Sequence, residues 1–350
     1  MIESVQNLLE SHIASGSTLG VAALLVRDGR TVFHLTLGER ATGAPMPADA
    51  ALAWLSAGKP LTAVAIAMLH EQHCLNIEDK VVRYVPEFAQ ADKSALTIRH
   101  LLTHTAGLHQ SLPANWHSAN WDEIVNHIAT LPVAPGFVPG EMAAYDPAAS
   151  WFILGEIIQR ITHEPFEDYM RQRIFAPANM PSAAFSAQGQ QGHVATPTAL
   201  LIPYYNTQSS PPNRLPWSVP NPASANIPRP GASLRAPITE MAHFYQSLMA
   251  GELIGMETLK CFTSPSRGLL ADKTFGQAMD WGLGIMVNNT PRRAYNFGPT
   301  TSPNAFGHGG QQSSLAFFDP ARNTFFAVNY NGLCGELQHN LRMRELLALL

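Results

Sequence analysis

The run Leu61-Thr62-Ala63-Val64-Ala65-Ile66-Ala67-Met68-Leu69-His70-Glu71 repeats apolar residues at helical spacing and is built from strong helix formers. Pro60 just before it suits a first helical turn, where its missing N–H is harmless. Residues 1–10 have the amphipathic spacing of an opening helix. Apolar, β-branched runs at residues 19–25 and 31–37 flank Val26-Arg27-Asp28-Gly29-Arg30. Asp-Gly between such runs predicts a hairpin, because glycine supplies the positive φ of the turn.

Further along, residues 75–86 read as a short helix stopped by Pro86, and residues 97–108 as a helix capped by Thr97 and ended near Gly107. After a turn at Pro139-Gly140, a helix runs from Ala148 through Trp151, Leu154, Ile157, Ile158 and Ile161, and a second covers residues 166–174. A helix over residues 239–249 is capped at Thr239, and one over 335–350 closes the chain. Strands are predicted at residues 281–287, 312–318 and 324–329, with Asp319-Pro320-Ala321-Arg322-Asn323 turning between the last two. Strands near both ends with helices between them predict an α+β fold: an antiparallel sheet formed from the N- and C-terminal segments, flanked by helices, with an inserted mostly helical lobe. The expected division of one domain over residues 1–350 is a sheet lobe of 1–55 and 275–350 and a helical lobe of 56–274.

Residues 188–230 break the periodicity with Pro, Asn, Ser and Gln, and carry Tyr204, Tyr205 and Trp217. Prolines restrict such a loop, so an ordered wall that selects the substrate is expected, with Tyr204 and Trp217 lining the pocket. Composition narrows the partners. With 46% hydrophobic residues in 350 the chain buries a large core. Charged residues make up 14%, and 22 basic against 26 acidic side chains leave a net charge of −4 without a basic block to track a phosphate backbone, so nucleic acid is not an expected partner. Cys74, Cys261 and Cys334 are odd in number and far apart, which suggests neither a disulfide framework nor a zinc site; each reads as a small buried hydrophobe. No run is long enough to cross a bilayer, and the acidic start lacks the basic segment of an export signal, so a cytoplasmic location is expected.

The chemistry concentrates at Ser56-Ala57-Gly58-Lys59. A separation of three on a helix puts the Lys59 amine on the same face as the Ser56 hydroxyl. A lysine desolvated against an apolar helix can lose its proton and then take the serine's, and the helix N-terminus offers positive charge where an oxyanion forms. Alone, the pair reads better as an N-cap serine and a solvated lysine; the residues around it reverse those odds. His100 and His104, four apart, lack a third metal ligand at zinc-helix spacing and read as packing and hydrogen-bonding groups inside the helical lobe.

The Ser56 helix, Leu96-Thr97-Ile98-Arg99-His100-Leu101-Leu102-Thr103-His104-Thr105-Ala106-Gly107-Leu108, the Tyr145 segment with Leu154-Gly155-Glu156-Ile157-Ile158, and Phe306-Gly307-His308-Gly309-Gly310 together resemble the serine β-lactamase and penicillin-binding-protein superfamily. The nearest likeness is its class C β-lactamase-like branch of esterases, D-amino-acid peptidases and acyltransferases. The likeness covers nearly the whole chain in order. It implies that Ser56 is acylated, that Lys59 is its base or proton relay, and that Tyr145 shuttles a proton to the leaving group or activates the deacylating nucleophile. That last role asks for a phenol of lowered pKa, which a Lys59 ammonium would supply. His308-Gly309-Gly310 falls where relatives carry Lys-Thr-Gly or His-x-Gly on the strand lining the cleft. By resemblance Gly309 and Gly310 let backbone approach the acyl group, the N–H groups of Ser56 and Gln311 form the oxyanion hole, and His308 bonds toward Tyr145 or a substrate carboxylate. The plainer readings are a Tyr145 packed under the Pro139-Gly140 turn and a strand entry at His308.

Two departures bear on substrate. Tyr145-Asp146-Pro147 stands where the family has Tyr-x-Asn, so the amide that usually bonds Lys59 and an acylamino side chain is missing, and Pro147 offers the pocket no donor. Gly58 replaces a common Ser or Thr and removes a polar group from the pocket floor. The expectation is a serine hydrolase or acyltransferase working through acyl-Ser56 on an ester, thioester or amide small molecule, with esterase-type chemistry favoured, no cofactor and no metal. A D-amino-acid peptidase or amidase is the alternative, and a non-hydrolytic binding protein on the same fold the alternative of another class. The acyl donor and acceptor and the oligomeric state stay open.

Overall fold

A computed structural model describes residues 1–110, 112–113, 119–186, 201–216, 227–288 and 297–350. Helix α1 (Ile2–Ala14) leads into the hairpin of β1 (Gly20–Arg27) and β2 (Arg30–Ala41), continued by the short β3 (Ala44–Pro45). Asp28 and Gly29 turn it with φ of 51° and 72°, the paired positive values that match the right-handed twist of the strands. The remaining strands of the sheet come from the far end of the chain: β4 (Met286–Val287), β5 (Phe306–Gly310), β6 (Ser314–Asp319) and β7 (Thr324–Tyr330). They form one antiparallel sheet in the order β4-β5-β6-β7-β1-β2-β3. Sequence order and spatial order differ at its centre, where β1 pairs with β7.

Both faces of the sheet are covered, which explains why β1 reads as an unbroken apolar run. Ala22, Leu24 and Val26 face the large core of the helical lobe. Val21, Ala23 and Leu25 face a second core with Val5 and Leu9 of α1 and Met343 and Leu346 of α9 (Glu336–Leu347). Burying each large aliphatic side chain stabilises by roughly 1.5–3 kcal/mol before chain entropy is subtracted.

Between β3 and β4 lies the helical lobe, with α2 (Lys59–Glu71), α3 (Ile98–Leu102), α4 (Trp121–Thr130), α5 (Ala149–Thr162), α6 (Phe166–Met170), α7 (Ile238–Met249) and α8 (Met256–Thr263). Every residue of α2 from Lys59 to Ala67 is buried, as expected of a helix apolar all round.

Local polar chemistry overrides several sequence expectations. Residues 75–86 form turns and the 3-10 turn Val81–Arg83, with a second starting at Pro86, because Asp79 takes the N–H of Asn76 and the hydroxyl of Tyr84. Helix α3 stops at Leu102 instead of near Gly107. Thr97 and His100 close a capping box at its start, and His104 turns the chain out of it with a φ of 57°. Thr239 lies inside α7, which starts after Pro237. The strand expected over 281–287 shrinks to Met286–Val287, since Gly284 takes a φ of 74°. The cysteines are not buried: Cys74 and Cys261 are exposed and Cys334 is half-buried. Among the described residues no helix is long and apolar enough to cross a membrane.

Candidate active site

Ser56 sits in a 3-10 turn, Leu55–Gly58, that runs directly into α2. The residue before it, Leu55, has a φ of 51°, a left-handed conformation that costs a non-glycine residue on the order of 1–3 kcal/mol unless its surroundings impose it. They do. Trp54 is pinned by its N–H to the carbonyl of Leu234 and its indole to that of Ala236, and its own carbonyl accepts the Ser314 hydroxyl at 2.8 Å. Gly310 at the end of β5 lies so close that a Cβ there would come within 2.5 Å of the Trp54 carbonyl oxygen. Glycine is what lets the strand lie beside the serine turn.

Two functional groups meet at the Ser56 hydroxyl. Nζ of Lys59 lies 3.1 Å from its Oγ, and the Tyr145 hydroxyl donates to the same Oγ at 2.7 Å. Lys59 is fully buried, and its Nζ also donates to the carbonyls of Pro147 at 2.8 Å and Gly231 at 2.6 Å. Burial, opposed by the nearby Asp146 carboxylate, brings its pKa down to about 7. Carbonyls only accept, so a neutral Lys59 spends both N–H bonds on them and its lone pair is left for the serine proton. The arrangement is that of a base aimed at a hydroxyl.

Tyr145 differs from expectation in its ionisation. Its ring is enclosed by His104 at 4.7 Å, Phe275 at 5.2 Å and Trp281 at 5.9 Å between centroids. This burial pushes the phenol well above its usual value, only partly offset by the bond to Ser56, and the Asp146 and Asp272 carboxylates push the same way. Tyr145 therefore stays protonated and acts as a donor. The expected lowering fails because burial raises the phenol's pKa by more than its bond to Ser56 lowers it.

The missing asparagine is compensated in part. Asp146 turns inward and caps α5, accepting from Ala148 at 2.9 Å, Ala149 at 2.8 Å and Ser150 at 2.6 Å, while the Pro147 carbonyl takes the hydrogen bond to Lys59. The Pro147 side chain is exposed. Gly58 is no pocket floor: it lies buried against Leu234, whose Cβ would be 2.7 Å from an added Cβ.

His308 lies on β5 with its ring 6.2 Å from that of Tyr145. Its Nδ1 donates to the carbonyl of Gly309 at 2.6 Å, so the expected bond to Tyr145 is not made, and Nε2 has no protein partner among the described residues. Burial, and next the Lys59 charge, lower its pKa to about 3, which keeps it neutral. Gly309 is half-buried beside it, and Gln311 follows at the exposed end of the strand, next to the contact of Gly310 with Trp54. Tyr204 is not brought to the site as a wall. It is fully buried, and its hydroxyl accepts the N–H of Ala53 and bonds the Ala53 carbonyl and Asn329. Trp217 lies outside the described residues.

Other contributors were invisible or underrated in the sequence. Gly231 and Pro147 act through carbonyls, which no side-chain motif announces. His104, read as a packing and hydrogen-bonding group, does both, and does so at the site: its ring packs on Tyr145 and its Nδ1 accepts the N–H of Asp146 at 3.0 Å.

The family model described as Beta-lactamase matches residues 5–349. Among curated proteins, Penicillin-binding protein 4* of Bacillus subtilis is 30% identical over 185 residues, covering 50% of this chain and 39% of its own length. Esterase EstB of Burkholderia gladioli is 27% identical over 214 residues, covering 55% of this chain and 52% of its own. The matches thus span less than two thirds of either relative. Among solved structures, EstCE1, a hydrolase with promiscuous acyltransferase activity, superposes with a TM-score of 0.82 at 19% identity, covering 99% of this chain and 98% of that one.

Proposed function

Given that the chain belongs to the Beta-lactamase family, we propose that it is a serine hydrolase of esterase type acting on small acyl substrates through an acyl-Ser56 intermediate. The observation that carries this reading is the convergence of Lys59 Nζ and the Tyr145 hydroxyl on one serine oxygen, at 3.1 and 2.7 Å. Lys59 accepts the Ser56 proton as Oγ bonds the substrate carbonyl carbon, and the carbonyl oxygen takes the negative charge against the N–H groups of Ser56 and Gln311. As the tetrahedral species collapses, the bond to the leaving oxygen breaks, and Tyr145 donates its proton there. The proton held by Lys59 restores the phenol. Water then attacks the acyl carbon by the same route in reverse.

Ester over peptide-like substrates is supported by Pro147, which gives the pocket no side-chain amide to bond an acylamino group. A relative named as an esterase is consistent with it. The test is a fluorophosphonate probe read by intact mass. One adduct on the wild type and none on Ser56→Ala is expected; no adduct on the wild type, or an equal one on Ser56→Ala, overturns the reading. A panel of p-nitrophenyl esters, D-amino-acid amides and a chromogenic cephalosporin then separates the classes, with short-chain esters expected to be hydrolysed best. Preference for the amides or the cephalosporin rejects the esterase assignment.

A further inference from the structure

We propose that Asp272, paired with Arg267, is a positioning residue that fixes the Tyr145 hydroxyl over Ser56; this rests on the reading of Ser56 and Tyr145 above. Both side chains are buried, 0% and 1% exposed, and their charged atoms lie 2.9 Å apart. A buried ion pair adds little net stability, since desolvation offsets most of the attraction, so its role is sought in what it holds.

What it holds is the backbone of Tyr145. Asp272 Oδ1 accepts the N–H of Tyr145 at 3.0 Å and those of Thr274 at 2.9 Å and Phe275 at 3.4 Å. One carboxylate thus folds the 272–275 turn and ties it to Tyr145, and the Phe275 ring then packs on the tyrosine. Thr274 bonds the Tyr145 carbonyl from the same turn at 3.3 Å. Arg267 closes the circuit. Its Nη1 donates to the carbonyl of Thr103 at 3.2 Å, and its guanidinium stands 5.4 Å from the ring centroid of Trp281, which stacks on Tyr145. The residue after Thr103 is His104, which takes the next N–H, that of Asp146. Two consecutive backbone N–H groups are therefore gripped by Asp272 and His104, and Arg267 joins the two grips. Tyr145 is braced on its backbone and on three sides of its ring, with its hydroxyl facing Ser56. A displacement of about 1 Å in such a contact lowers the rate roughly 100-fold.

The experiment is a cycle on the full chain. Arg267→Met/Asp272→Asn removes both buried charges and keeps an acceptor for the Tyr145 N–H, whereas Arg267→Met/Asp272→Leu removes the charges and the acceptor. With p-nitrophenyl acetate, the asparagine pair is expected to keep kcat within about 3-fold of wild type, and the leucine pair to lose about 30-fold with KM changed less than about 2-fold. In a Tyr145→Phe background the difference between the two pairs should shrink to less than about 2-fold, because Asp272 acts through that hydroxyl. A folded leucine pair with wild-type kcat, or a difference that persists in full without the hydroxyl, overturns the proposal. Should the leucine pair not fold, Arg267→Met/Asp272→Ala, which also lacks a side-chain acceptor, takes its place with the same two outcomes. Fluorophosphonate labelling keeps the two readings apart: an unlabelled wild type rejects the acyl-Ser56 reading, while a labelled Ser56 with a persisting difference rejects the positioning role alone.

Discussion

Lys59 Nζ stands 3.1 Å from Ser56 Oγ while being held by two backbone carbonyls, those of Pro147 and Gly231. The carbonyls fix the direction of the amine, and burial lowers its proton affinity, so orientation and basicity have separate structural origins. In the proposed mechanism activity then depends on the fraction of Lys59 that is neutral. With its pKa at about 7, kcat/KM should rise with pH through an inflection near 7 and level off above it. A stopped-rate pH profile on an activated ester checks this, and an inflection absent between pH 6 and 8, about one unit either side, would count against Lys59 as the base. Lys59→Arg, a permanent cation, should lose at least about 100-fold in kcat/KM.

The same shift has a stability counterpart. Lys59 binds its proton less tightly folded than unfolded, about 7 against 10.5. Between those values the unfolded chain carries more protons, so this residue makes stability rise with pH across that window and leaves it flat below about 7. Urea titrations at several pH values should show that rise in the wild type and a weaker one in Lys59→Met.

Asp146 acts on the proposed base. Its carboxylate raises the Lys59 pKa against the effect of burial, so Asp146→Asn should move the acid limb of the pH profile downward, by up to about one pH unit. The asparagine retains a cap for α5. Asp146→Ala loses it and should also cost about 1–2 kcal/mol of stability, measured by denaturant unfolding.

Tyr145→Phe deletes the hydroxyl and leaves the ring packing on His104, Phe275 and Trp281. The melting temperature should hardly change while kcat falls about 100-fold or more, the range of a lost general acid. A drop in melting temperature without a drop in kcat would assign the residue to packing.

Gly58→Ser restores the polar residue common in the family. Here its Cβ would press to 2.7 Å from that of Leu234, so the variant should lose about 1–3 kcal/mol of stability by overpacking. Urea midpoints at unchanged slope give the value. A neutral result would show that Leu234 can move aside.

The hairpin and the serine turn were legible because each depends on neighbours in sequence: Asp28-Gly29 sets its own turn, and Ser56 and Lys59 are one helical turn apart, whereas Tyr145 was marked by the family resemblance alone. Tyr204 misled for the opposite reason. An aromatic in a Pro-rich stretch looks like a pocket wall, yet its hydroxyl meets Ala53 and Asn329, partners far away along the chain. Asp272 and Gly231 carry no local signature at all, since one serves a backbone N–H and the other offers a carbonyl across the lobe. The phenol's high proton affinity was illegible as well, because it comes from rings on three separate segments.

The adjacency of β1 and β7, with Val21 opposite Tyr330, carries a consequence for biosynthesis. At translation speeds of about 5–20 residues per second, the first hairpin leaves the ribosome tens of seconds before its central neighbour exists. Until then one long edge of apolar backbone stands open, a template for pairing with other nascent chains, so a chaperone's help during synthesis should raise the soluble yield more than any later refolding aid. Nor can the tail be trimmed as if it were a fringe: stopping the chain before residue 324 would remove the middle of the sheet and leave its two flanks without a partner.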